Sequence, residues 1–234
     1  MALPRQVLPQ HELTLPSTGE KVTFRPFIMR EEKLLMMALE DGTEKALLDA
    51  VHNIVGECTS GSIDALKCPL FDVQYAFLQI RAKSVAEMSD FVVRCGACDH
   101  KISTSIDLTK IEVERVEGHT RKIPLSETLG VIMKYPTIVH LGVLTKTSSR
   151  STEIYNVIAE CIEQVYTPDE VTLASNEPKE ELIKFIDELP VSQFNLIQKF
   201  FETMPVLRHE HKIPCTKCNR ENILKLEGIE SFFV

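Results

Sequence analysis

Two Cys-x-x-Cys pairs stand far apart in this chain, Cys95-Gly96-Ala97-Cys98 and Cys215-Thr216-Lys217-Cys218, with roughly 116 residues between them. Each is a short knuckle that offers two thiolates to one metal ion. Together they supply the four-sulfur tetrahedron that structural zinc prefers. Sharing one ion would tie the middle of the chain to its C-terminal region and hold the fold together without chemistry. The flanking residues repeat as well. Cys98 is followed by a polar turn, Asp99-His100-Lys101, and Cys218 by Asn219-Arg220-Glu221. Each turn leads into an alternating strand ending in Leu-x-x-Ile, at Leu108–Ile111 and at Leu226–Ile229. This is the pattern of two half-ribbons paired around one zinc ion.

Three other readings of the thiols are open. A thioredoxin-like redox pair sits at a helix N-terminus after a strand, whereas each pair here leads into a strand. Disulfides need an oxidising compartment, and the N-terminal residues lack a signal-peptide core. Free core cysteines are the plain alternative. Doubled Cys-x-x-Cys spacing favours metal, so the expectation is one structural zinc per chain, held by Cys95, Cys98, Cys215 and Cys218. His100, His209 and His211 lie near the knuckles and are expected to face solvent. Cys58, Cys68 and Cys161 fall in helix-like apolar stretches and are expected to be ordinary buried thiols.

The positioning elements follow from turn chemistry and period. Glu12–Leu15 and Lys21–Arg25 alternate around Pro16-Ser17-Thr18-Gly19-Glu20, which predicts a β-hairpin. Arg30–Leu39 is helical, with acids in its first turn and Gly42 as its stop. Thr43 caps a second helix whose apolar positions share one face and which Gly56 ends. Asp72–Lys83 is a third. Val113 and Val116 continue a strand; Lys122–Leu125 and Thr137–Leu141 are short strand candidates, while Gly130–Tyr135 fits either state. The polar run Thr145–Arg150 is a loop. Thr152–Val165 carries an apolar stripe at helical spacing. Pro178 opens a further helix to Leu189, and Ser192 caps the last one, Gln193–Thr203. Phe232 and Phe233 are expected to pack on the ribbon.

These elements give an α+β fold: a helical body with short β-hairpins and a zinc-ribbon-like four-cysteine module joining the middle and the C-terminus. The segments are a flexible N-terminal arm (1–11), a hairpin with helices (12–90), a split zinc-ribbon-like module (91–120 with 206–234) and a mixed strand and helical region (121–205).

Bulk chemistry excludes several function classes. The net charge of −8 opposes nonspecific nucleic-acid binding. With no Trp and 6% aromatic residues, a base-stacking platform is not expected. No apolar run approaches the ~20 residues of a membrane span. P-loop, Gly-x-Gly-x-x-Gly, Gly-x-Ser-x-Gly and His-Glu-x-x-His motifs are absent. His209-Glu210-His211 lacks the spacing of a metalloprotease helix, and with Pro214-Cys215 it only partly echoes a deaminase pattern. Glu31-Glu32 and Glu180-Glu181 suit helix N-termini. A non-enzymatic protein in a reducing cytoplasm is expected, with no nucleic-acid or membrane partner.

A family resemblance rests on an ordered series of residues. It runs from the Pro-Ser-x-Gly hairpin (Leu15–Phe24) through Arg25-Pro26 and the helix opening Glu31-Glu32-Lys33-Leu34. Cys58, the helix Gln74…Leu78-x-Ile80-Arg81-x-Lys83-Ser84 and the first knuckle follow. Phe200-Phe201…Met204-Pro205, the second knuckle and Gly228…Phe232-Phe233 complete it. The chain resembles the baseplate hub proteins of T4-like tailed bacteriophages, both hub subunits and hub-assembly factors. The resemblance implies a structural or chaperone-like role in building the hub. The partners would be other hub proteins or assembly factors. The location would be the host bacterial cytoplasm during assembly, and also the virion baseplate for a protein that stays. The rival classes are a zinc-ribbon nucleic-acid or transcription-associated adaptor, and an enzyme with an unrecognised site. The basic residues around the second knuckle (Lys212, Lys217, Arg220, Lys225) are offset by Glu210, Glu221, Glu227 and Glu230, which weighs against the adaptor.

Overall fold

The computed structural model describes residues 6–140, 151–228 and 231. Thr145–Arg150, Ile229, Phe232 and Phe233 lie outside the described residues. The chain divides into two units, residues 1–114 with 206–234, and residues 115–205 between them. Helices and antiparallel strands are mixed in both, an α+β fold.

In the first unit, β1 (His11–Thr14) and β2 (Lys21–Phe24) form the expected hairpin. Its turn is held by Asp72, whose carboxylate accepts the Ser17 N–H at 2.9 Å. Helix α1 (Met29–Asp41) ends where Gly42 takes the left-handed conformation, φ 67°. Helix α2 (Glu44–Cys58) begins at Thr43, whose hydroxyl accepts the Ala46 N–H. It runs through Gly56 rather than ending there. The stop comes at Thr59, whose hydroxyl is bound to the Val55 carbonyl, with Ser60 and Gly61 then turning at positive φ. Helix α3 (Leu70–Ser84) is buried on nearly every side, polar Asp72, Gln74 and Gln79 included. A helix surrounded in this way is the centre of its unit.

Two hairpins complete the unit. Strand β3 (Met88–Arg94) pairs with β4 (Lys101–Asp107). After the pass through the second unit, β10 (Val206–Pro214) pairs with β11 (Glu221–Glu227). Between them, β5 (Val113–Glu114) lies against the start of β10, with Val206 opposite Glu114 and Leu207 opposite Val113. Leu108–Ile111 is not strand, as its alternation suggests, but a 3-10 turn at Leu108–Lys110. The Asp107 carboxylate accepts the Thr109 N–H at 3.0 Å and bends the chain off the sheet. One core joins Leu78 and Ala82 of α3, Phe91 and Ile106 of the first hairpin, and Leu207 and Leu226 of the second.

The second unit has a four-stranded antiparallel sheet in the order β6 (Lys122–Pro124), β7 (Gly130–Met133), β8 (Ile162–Tyr166), β9 (Val171–Leu173). Its helices among the described residues are α4 (Ser151–Glu160), α5 (Lys179–Asp187) and α6 (Val191–Thr203). The stripe expected to carry one helix from Thr152 to Val165 breaks at Cys161, and its second half pairs with β7 as β8. Thr137–Leu141 also differs from expectation: Ile138–His140 is a 3-10 turn. It closes because His140 Nδ1 accepts the Thr137 N–H at 3.0 Å. Ser192 sits inside α6, which starts after Pro190. Val131, Met133, Ile158, Ile162, Ile186, Ile197 and Phe200 share the core. His119 bridges Thr203 Oγ1 (2.9 Å) and the Tyr135 hydroxyl (3.1 Å). The Thr203 hydroxyl is already donated to the Lys199 carbonyl, so His119 Nδ1 is the donor to it. Burial pulls the His119 pKa down and favours that neutral ring.

Glu31 of the first unit is a buried charge whose side chain is 4% exposed. It meets Arg25 at 3.1 Å and Arg30 at 3.0 Å, and accepts the Ile28 N–H at 2.8 Å. Burial raises its pKa, but the Arg25 hydrogen bond, the Ile28 amide and Arg30 outweigh burial and hold the carboxyl below its ordinary 4.5. Such a group stabilises the fold fully above its unfolded value, and that share is lost as pH falls through the folded value. Glu31→Ala should cost about 2–3 kcal/mol at pH 7 by stranding Arg25. The gap between wild type and variant in urea unfolding should close as pH is lowered below 4.5. A gap that stays constant would show that the ion pair contributes nothing.

Candidate metal centre

The two knuckles are built alike from their backbones. In the first, the Cys95 N–H donates to the His100 carbonyl at 2.9 Å and the Asp99 N–H to the Cys95 carbonyl at 3.0 Å. In the second, Cys215 bonds Arg220 at 2.8 Å and Asn219 bonds Cys215 at 2.9 Å in the same sense. Both loops need a left-handed residue just after the second cysteine: Asp99 has φ 54° and Asn219 φ 58°. Asp and Asn are the non-glycine residues that best tolerate this conformation. The polar turns seen in the sequence are therefore what allow each loop to fold back with its sulfurs on one side.

The four sulfurs of Cys95, Cys98, Cys215 and Cys218 all lie within 4.8 Å of one another. Cys95 is 3.6 Å from Cys218 and Cys98 3.7 Å from Cys215, so the closest approaches cross between the knuckles. A disulfide needs about 2.05 Å, and all seven cysteines are free. A zinc ion with sulfurs at about 2.3 Å would place them about 3.8 Å apart in an ideal tetrahedron. The donor set and its spacing fit a thiophilic ion. Both knuckles sit in hairpin loops, away from helix N-termini, so the thioredoxin-like arrangement is not formed.

The local field prepares the thiols unequally. The Ala97 and Cys98 amides point at the Cys95 sulfur and draw its pKa down to about 6. Burial raises the Cys215 thiol, but the Cys218 and Lys217 amides outweigh it and leave the pKa low. At Cys98 the His100 amide favours the thiolate, but burial and the neighbouring sulfurs prevail and push it up to about 12. Four adjacent thiols cannot all ionise by themselves, because each negative sulfur opposes the next. A divalent cation removes that conflict.

The nearby histidines do not join the sulfurs. His100 is exposed, but His209 and His211 are half-buried, unlike the solvent-facing position expected of them. They alternate onto one face of β10, with rings stacked at 6.1 Å. His211 Nε2 lies 3.1 Å from Thr104 Oγ1 of the first hairpin, and this contact draws its ring inward. Cys58 and Cys161 are buried, their pKa values pushed by burial to about 11 and about 12. Cys68 is half-buried in a turn before α3, not in a helix, since Pro69 starts that helix.

Sequence motifs gave no sign of Asn222. It reaches across from the second hairpin to accept the Gly96 N–H at 3.1 Å, and its amide nitrogen is 3.7 Å from Cys95 Sγ. The available signal was a mismatch. Asn222 stands four residues after the second cysteine of its knuckle, where the first hairpin has the buried apolar Ile102.

Elsewhere, an open groove of about 290 Å³ lies between α1 and α2, lined by Arg30, Glu31, Leu34, Met37, Asn53 and Glu57. Both of its carboxylates are engaged by Arg30. No helix among the described residues is long and apolar enough to cross a membrane.

In comparison with known families, the model for T4 bacteriophage base plate protein matches residues 8–234. No curated protein and no solved structure matches the chain.

The left-handed turns can be tested without metal. Asn219→Ala should cost about 1 kcal/mol in urea unfolding of the metal-free protein. Asn219→Gly should be neutral to within a few tenths, since glycine meets no penalty at positive φ. Equal losses in the two variants would mean that the Asn219 side chain, and not its backbone, holds the loop.

Proposed function

Because the chain belongs to the T4 bacteriophage base plate protein family, we propose that it is a non-enzymatic component of the baseplate hub of a contractile-tailed phage. It acts structurally or as an assembly chaperone, and one structural zinc ion bound by Cys95, Cys98, Cys215 and Cys218 stabilises it. The observation that carries this reading is the family match across residues 8–234. Its partners are other hub proteins or hub-assembly factors. It works in the host bacterial cytoplasm, where reducing conditions keep the thiols available to the metal.

Zinc would supply no reaction here; with four protein sulfurs its shell is closed. The module it organises is a zinc ribbon split across the chain, one half from each hairpin. Its charges support a protein-facing role over a nucleic-acid one. Arg208 pairs with Glu227 at 3.0 Å, Lys225 with Glu210 at 2.9 Å and Lys212 with Glu221 at 3.7 Å. Three of the hairpin's cations are thus offset by acids on the same hairpin. The Glu31 and Glu57 carboxylates of the groove between α1 and α2 are likewise bound to arginine, which supports a structural reading of that groove.

Elemental analysis of purified protein should find one zinc per chain, and Cys215→Ser should lose it. At free zinc 100-fold above Kd, binding adds about 2.7 kcal/mol of stability, so a chelator should lower the wild-type melting temperature and leave the variant unchanged. A protein with no metal and four freely reactive thiols at the knuckles would overturn the zinc site. For the hub role, lysates of infected cells fractionated by sedimentation should show the chain with hub intermediates, and its deletion should leave those intermediates unformed. Normal hub assembly without the chain would overturn that role.

A further inference from the structure

We propose that Asn222 is an outer-sphere clamp of the metal centre, a positioning residue that holds the knuckles together and slows loss of the ion. This rests on the reading of the four cysteines as a zinc site.

Three partners fix the Asn222 carboxamide. Its oxygen accepts the Gly96 N–H at 3.1 Å; its nitrogen donates to the Arg220 carbonyl at 3.0 Å and lies 3.7 Å from Cys95 Sγ. A flipped amide would set its NH2 against the Gly96 N–H and its oxygen against both the Arg220 carbonyl and the sulfur. Only one orientation satisfies the three, and it aims a donor at Cys95. A polar residue on β11 therefore ties its own knuckle, through Arg220, to the backbone and a ligand sulfur of the other. The bonds cross between segments far apart in sequence, so they resist the motion by which two knuckles part.

The site is asymmetric here. Cys95 receives the Ala97 amide from its own knuckle and the Asn222 amide from the opposite one. Cys215 receives the Lys217 amide from its own knuckle, and the position matching Asn222 is apolar Ile102, in the same small cluster as Cys95, Ile213 and Cys215. A donor aimed at a thiolate stabilises its negative charge, and outer-shell partners of this kind hold ligands in place.

Full-length protein loaded with zinc, and separately with cobalt(II), tests the inference through the rate of metal transfer to excess EDTA and the cobalt spectrum. Asn222→Asp keeps an oxygen for Gly96 but sets a carboxylate oxygen where the donor was; Asn222→Ala removes all three bonds. Both should release metal about 10-fold faster or more, and the sulfur-to-cobalt charge-transfer band should move to lower energy as the thiolate loses its donor. Asn219→Ala, which loosens the same loop without touching a sulfur, should leave the band in place. Wild-type release rates and an unmoved band in both Asn222 variants, with wild type holding one ion, would overturn the clamp and leave the zinc site standing. Faster release with an unmoved band, matched by Asn219→Ala, would also overturn it. Wild type that holds no ion would instead sink the zinc reading beneath it.

Discussion

Four sulfur atoms from two hairpins within 4.8 Å of one another are the constraint on which this structure turns. Thiolates at that spacing repel, and neutral thiols are weak hydrogen-bonding groups that hold little together. The gathering therefore needs scaffolding from elsewhere. Part comes from the loops, whose left-handed Asp99 and Asn219 return each chain on itself. Part comes from bonds between the hairpins, Thr104 to His211 and Gly96 to Asn222. The rest is apolar: Cys95, Ile102, Ile213 and Cys215 bury together beneath the sulfurs.

That apolar layer is continuous in logic with the larger core. Phe91 and Ile106 of one hairpin meet Leu207 and Leu226 of the other against Leu78 and Ala82 of α3. The helix brings the rest of its unit with it, because it is buried on almost every side and its Asp72 also anchors the β1–β2 turn. Disturbing the sulfur cluster thus reaches the helical body through two hairpins and one helix. Residues 115–205 bury a separate set of side chains around Val131, Met133, Ile158 and Phe200.

What could be read from the sequence was whatever carried a rigid local rule. The doubled Cys-x-x-Cys, the Gly42 stop, the Thr43 cap and the Pro-Ser-Thr-Gly turn of the first hairpin depend on chemistry within a few residues. The misread segments were settled by distant partners. Ile162 and Val165 continue a helical stripe, yet pairing with β7 makes them strand, as short apolar runs permit. Leu108–Ile111 alternates like a strand until Asp107 caps the chain into a turn. Gly56 looks like a stop, yet α2 passes through it to Thr59, where a hydroxyl holds the end. His211 and Asn222 look like ordinary surface residues of an alternating strand. Their roles come from a second hairpin more than a hundred positions away, and no local pattern reports it.

The short ladder of β5 against β10 has a consequence for chain entropy. Glu114 and Val206 are cross-strand partners, so the chain leaves for the second unit and returns at one place. In an unfolded chain the knuckles are joined by a loop of roughly 116 residues. With β5 paired to β10, the effective tether shrinks to about 25 residues, and closing it is easier by about 1.4 kcal/mol. Two cross-strand pairs in the first unit thus act as a splint, bringing two remote cysteine pairs within reach.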